Sequence, residues 1–162
     1  MSRFASADGR PRIVLCDTIA DMAAPDITEI EAGDDLSAFL TKDGFSTGEA
    51  GNRAPASGAA EQYNLDVAGS VNLAVSTTFF RDDESDDAWD AYERGDTKFI
   101  VFCRKGGSGE GGAIAAGDEV EVYHGEALDK SNADIAENTT SRFTTNWSTK
   151  SAPEMSAVVT SS

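Results

Sequence analysis

The chain has 162 residues and a formal net charge of −16, with 29 acidic side chains against 13 basic ones, two cysteines and one histidine. That length suits one domain with a core of its own, and the longest apolar run, Phe99 to Cys103, is far short of the roughly 20 residues of a membrane-spanning helix. So few bases argue against ordinary nucleic-acid binding, which draws its affinity from Lys and Arg on phosphates.

The charge is unevenly placed. Residues 17–137 hold 27 of the acids and 8 of the bases, a net of −19, while the segments on either side are neutral to basic. In a monomer such an excess serves solubility. No apolar stretch follows Arg3, so no secretory signal is expected and the chain is expected in the cytoplasm of the cell that makes it. Cys16 and Cys103 lie in apolar runs and are expected to be reduced, buried and structural.

In chain order, the periodicity is mostly that of strands. Arg12 to Cys16 reads as a first strand. Ile27 to Glu31 reads as a second, ended by Gly33-Asp34-Asp35, with Leu36 to Leu40 as its hairpin partner. Thr41 to Ser70 is rich in Gly, Ala, Ser, Asn and Asp and reads as a long loop, of the kind that is functional or disordered in small domains. From Val71 to Phe79 apolar and polar residues alternate, giving a long half-buried strand.

One helix stands out. Asp83 to Asp87 supply acceptors where a helix has free N–H groups. Ala88, Trp89 and Tyr92, three and four positions apart, form one apolar face, and Gly95 can end the helix. Two to three turns are expected, so the helix depends on Trp89 and Tyr92 docking on a sheet. Thr97 to Arg104 is apolar almost throughout, which suits a strand covered on both faces. Lys105 to Gly117 reads as a Gly-rich flexible loop. Glu119 to Tyr123, Ser141 to Trp147 and Met155 to Val159 complete the strands. The expectation is a single domain over 1–162: an N-terminal arm (1–11), a long loop (41–70), the Gly-rich loop (105–117) and a C-terminal strand or arm (150–162).

Chemistry is hard to find. His124 ends a strand and has no partner for acid–base work. The glycines from Gly106 to Gly112 lack the Gly-Lys-Ser/Thr opening of a phosphate loop, since Lys105 precedes them. Asp82 to Asp87 resembles a calcium loop in composition, but Asp87 stands where the turn needs glycine. No pair among the 29 acids is singled out for hydrolysis. No catalytic residue, cofactor or metal is expected.

Three blocks carry a resemblance. Leu73 to Asp83, Ala88 to Thr97 and Phe99 to Phe102 together resemble the strand, acidic turn, Trp-bearing helix and strand of major tail tube proteins from siphophages of actinobacteria. Ala116 to Tyr123, Phe143 to Ser148 and Asp26 to Gly33 extend it over most of the chain. The resemblance implies a mainly β fold, a β-sandwich or incomplete barrel with one short flanking helix, in which long loops and terminal arms bridge subunits. It implies a structural virion protein and not an enzyme. It further implies that six copies form a ring and that rings stack into a tube through which DNA passes without specific binding. The partners implied are further copies, a tape measure protein, and tail terminator or baseplate proteins, with no membrane; assembly takes place in the host cytoplasm.

Alternation in the predicted strands turns Glu29 and Glu31 away from Ile30, and Glu119 and Glu121 away from Val120 and Val122. These four acids are candidates for the lumen wall, where they would repel phosphates at short range. Two other readings share the composition: the inner tube of a contractile tail or injection system, and a monomeric β-sandwich binding module.

Overall fold

The computed structural model describes residues 11–55 and 66–161, in one antiparallel sheet with two short helices. The strands are β1 (Arg12–Cys16), β2 (Asp34–Asp35), β3 (Leu40–Pro55), β4 (Asp66–Phe80), β5 (Thr97–Cys103), β6 (Glu119–Asn132), β7 (Arg142–Thr149) and β8 (Glu154–Val158). The helices are α1 (Ile27–Glu31) and α2 (Asp87–Asp90). The order across the sheet is β2-β1-β5-β6-β7-β4-β3, with β8 paired to β6.

Strand β6 is shared among three neighbours. Its first half pairs with β5 on one side and β8 on the other, and its second half pairs with β7 from Gly125 to Asn132, across a register shift between Ala127 and Lys130. The sheet curls back on itself: Phe45 of β3 stacks on Phe102 of β5 with ring centroids 4.3 Å apart, although three strands lie between them in the order. The result is an incomplete barrel.

Two apolar clusters hold it. Ile13, Leu15, Ile100, Phe102 and Tyr123 face Val75, Phe79, Phe143 and Trp147 inside the barrel, with Ala88 and Tyr92 completing the packing. On the other face of β1, β5 and β6, Val14, Cys16, Val101, Cys103, Val120 and Val122 are covered by Ile19, Ile30, Ile114, Ala157 and Val159. The unbroken apolar character of Thr97–Cys103 thus reflects burial on both faces.

Three expectations about local structure are corrected. Ile27–Glu31 is a helix, not a strand. Asp26 accepts from the Thr28 N–H, and Glu29 returns a bond from the Asp26 N–H, a reciprocal cap. Ile27 and Ile30 stand three apart and both pack on the second cluster, so the spacing is helical. Leu36 to Leu40 forms no hairpin strand. Only Asp34–Asp35 pair with β1, and Leu36 then turns inward, with its N–H on the Ile13 carbonyl.

The third correction concerns the long loop. Residues 41–55 and 66–70 are strand, paired from Phe45↔Thr77 to Pro55↔Asp66. Small and polar side chains concealed this, because the ladder is held by backbone bonds that composition does not reveal. Residues 56–65 lie outside the described residues, as does the N-terminal arm up to residue 10. At the register shift near its start, β3 needs Gly44: a Cβ there would lie 2.5 Å from the Thr78 carbonyl oxygen.

Candidate assembly surfaces

The docked helix is the best-built polar site in the subunit. Helix α2 is a single turn, shorter than the two to three turns expected, because Asp86 takes a left-handed conformation (φ 50°) and gives its side chain to Arg81 instead of capping. Both Asp86 oxygens accept from the Arg81 guanidinium, at 2.6–3.1 Å. That contact holds the Asp86 carboxyl below its usual value. The same guanidinium donates to Asn132 (2.9 Å) and lies 3.8 Å from the centre of the Trp89 ring.

Trp89 meets Phe143 edge to face at 5.0 Å, and Tyr92 packs on Trp147 at 4.9 Å. The Tyr92 hydroxyl bonds to Thr145 (2.7 Å), and the Trp147 indole donates to Thr77 (3.0 Å). The buried threonines of β4 and β7 are thereby satisfied. Lys130 completes the arrangement. Its side chain is 7% exposed, and its ammonium donates to the Trp89 and Tyr92 carbonyls at 2.7 and 2.8 Å. It also lies 4.4 Å from the Trp89 ring centre. The sequence singled out Trp89 and Tyr92 but not Arg81 or Lys130, whose roles arise from register across strands.

The four candidate lumen acids do not form one set. Glu29 and Glu31 lie on α1, so strand alternation does not orient them. Glu29 is occupied as an acceptor for the Ala20 and Asp26 N–H groups, whereas Glu31 is exposed. On β6, Glu119 is exposed, and Val120 and Val122 are buried. Glu121 is tied to Arg104 at 2.9 Å and accepts from the Tyr123 hydroxyl. Burial, followed by the neighbouring Glu121 carboxylate, pushes the Tyr123 phenol up to about 12.

The Gly-rich loop is more ordered than its composition suggested. It contains a 3₁₀ turn (Glu110–Gly112) and is fastened by Asp118, whose carboxylate accepts from the Ser108 and Ala115 N–H groups, both at 2.9 Å. Gly107 passes so close to Ala113 that a Cβ would lie 1.9 Å from its carbonyl oxygen. Burial alone would raise the Asp118 carboxyl, but the donors from Ala115 and Ser108 outweigh it and the net shift is downward. A carboxyl depressed on folding stabilises above its ordinary value of 3.8, and that stabilisation is lost as pH falls through the lower folded value. The Ser108 and Ala115 amide resonances are therefore expected to hold steady from neutrality to about pH 5 and to move only below the ordinary carboxyl range. Asp118→Asn should abolish that titration and loosen the loop.

Cys16 and Cys103 are both buried free thiols. Burial, with Glu29 next in effect, pushes Cys16 up to about 12, and burial also raises Cys103. Neither is expected to react with a thiol reagent at pH 8 until the protein is unfolded. Rapid labelling of the native subunit would contradict this.

Among the described residues no group of His, Cys, Asp and Glu is arranged to hold a metal ion. The acidic run instead serves its own turn, with Asp82 accepting from the Glu84 N–H and the Ser85 hydroxyl.

Part of the ribbon formed by β3 and β4 has no third strand among the described residues. β4 pairs with β7 only from Val75 to Phe80, so from Ala74 to Asp66 the ladder has β3 alone. At the usual strand rise this is about 30 Å of two-stranded ribbon. β3 also has a free outer edge among the described residues.

The family model described as phage tail tube protein matches residues 1–162. The chain belongs to the phage tail tube protein family. Tail tube membership makes it a structural component of a phage tail, and hence of the virion. No curated protein matches. Its fold is similar to that of a chain in the 6-fold symmetrised cryo-EM structure of the anti-feeding prophage baseplate. The TM-score is 0.59 at 14% identity, over 98% of this chain and 99% of that one.

Proposed function

We propose that six copies of this tail tube protein close into a ring, and that rings stack into the tube of a siphophage tail as the conduit for DNA. The reading rests on the β3–β4 ribbon, about 30 Å of ladder with no third strand among the described residues. An isolated two-stranded ribbon is marginal in water, so a neighbouring subunit is the natural source of its missing contacts. The 6-fold symmetry of the baseplate containing the similar chain favours six copies. Tape measure and terminator proteins would meet the tube at its axis and end, with assembly in the host cytoplasm. Negative-stain microscopy of purified virions and of the concentrated protein tests this. Stacked rings carrying this chain are expected; a chain absent from tails, and monomeric at millimolar concentration, would overturn it.

A second reading, the inner tube of a contractile tail or injection system, is favoured by the likeness to a prophage baseplate chain. A contractile sheath around the particle would select it.

The acidic body is proposed to face the DNA path, where repulsion reaches only about 8 Å at physiological salt. Glu31 and Glu119 are the exposed members of the four candidates, so they alone can be reversed without breaking a cap or an ion pair. Particles with both changed to Lys should assemble normally and eject DNA more slowly as salt is lowered. An unchanged rate at low salt would place these acids off the lumen.

A further inference from the structure

The subunit carries a cleft and an exposed turn of complementary chemistry. The socket is a cleft of about 410 Å³ with an apolar floor of Leu40, Phe45 and Phe102 and a rim that includes Arg12, Lys42 and Arg104. Among the described residues no carboxylate lines it. The plug is the turn between β6 and β7. Ile135 is 100% exposed there, the most exposed large apolar side chain among the described residues. Asp134 and Glu137 flank it, and every residue from 131 to 140 is exposed.

The turn is shaped rather than loose. The Ala133 N–H donates to the Arg142 carbonyl, the Thr139 N–H and hydroxyl both reach the Ala136 carbonyl, and Asn138 is left-handed (φ 62°). Such a turn presents Ile135 at little further entropic cost.

We infer that Ile135 of one copy inserts into the apolar cleft of the next, with Asp134 and Glu137 meeting the cationic rim. Charge and chemistry are complementary: an aliphatic tip between two acids, and an aliphatic and aromatic floor between Arg12 and Lys42, with Arg104 already paired to Glu121. Topology agrees. Phe102 and Arg104 face the N-terminal end of β6, opposite Glu121, whereas the plug follows its C-terminal end. A plug and a socket on different parts of one chain make a heterologous, head-to-tail contact, the type that builds rings and filaments. This contact rests on the tube reading and assigns it residues.

The test is a double-cysteine chain, Ile135→Cys with Lys42→Cys, supplied in place of the wild type during tail assembly and then mildly oxidised. The native thiols are buried, so the new pair reacts alone. Dimers and a ladder of higher multimers are expected on a non-reducing gel, and each single variant should give no ladder. Tubes that are normal by microscopy yet give no ladder would overturn the contact and leave the tube reading intact. Wild-type chain absent from tails would remove both. Independently, Ile135→Asp should leave the subunit's melting temperature unchanged and lower assembly by about tenfold or more. Asp134→Lys should be rescued in part by Lys42→Glu. Full assembly of the Ile135→Asp chain would also overturn the contact.

Discussion

Replacing Lys130 with methionine is expected to destabilise the isolated subunit by about 2–3 kcal/mol, one of the largest effects available to a single polar substitution here. Methionine keeps the stem and its packing but removes the only donor to the Trp89 and Tyr92 carbonyls among the described contacts. Hydrogen bonds from a charged donor contribute about 1.5–3 kcal/mol, and the attraction to the Trp89 ring adds about 0.5–2 kcal/mol. Against this stands the cost of burying an ammonium, since removing a buried charge is sometimes stabilising. The carbonyls decide the sign, because they stay behind without a donor. Urea denaturation followed by tryptophan fluorescence measures it. An unchanged midpoint would mean that apolar packing alone holds the end of α2.

The second large effect is on assembly rather than stability. Replacing residues 50–72 with Asn-Gly would join Glu49 to Leu73, which are opposite each other in the ladder, through a favoured two-residue turn. Leu73 is kept because it packs against the barrel core. The shortened subunit is expected to unfold within about 1 kcal/mol of the parent, since the ribbon beyond this point has no third strand to lose. Incorporation into tubes is expected to be abolished. Normal tubes from the shortened chain would show that the ribbon is dispensable, and a failure to fold would show that it supports the barrel from within.

Legibility followed the physics of each segment. The strands buried on both faces, such as Thr97–Cys103, declared themselves through unbroken apolar sequence, and the half-buried β7 through alternation. Trp89 and Tyr92 were legible because a short helix must dock by its large side chains. Ile27–Glu31 was misread although Asp26 and Glu29 spell a reciprocal cap, a signal that outweighs two apolar residues in a five-residue window. The ribbon is hidden because its strands are rich in Gly, Ala, Ser and Thr, and pairing between backbones leaves no mark in hydropathy. Arg81, Lys130 and the socket rim could not be read at all. Each acts through neighbours 5 to 92 positions away, from Arg81–Asp86 to Arg12–Arg104.

The sharing of β6 among three partners also sets a timetable for folding. β5, β6 and β7 are consecutive and pair through connections near in sequence, so they can form a three-stranded nucleus early. β1 must then return to β5 from far upstream, with Arg12 opposite Cys103, and β4 must reach β7, with Val75 opposite Trp147. Pairings so distant in sequence close slowly. Until they close, the nucleus shows two raw edges, each able to capture a strand from another chain. Pulse-labelled hydrogen exchange should find β6 amides protected before those of β1. The yield of native subunit should then fall as chains are refolded at higher concentration, a race between closing the barrel and pairing with the wrong molecule.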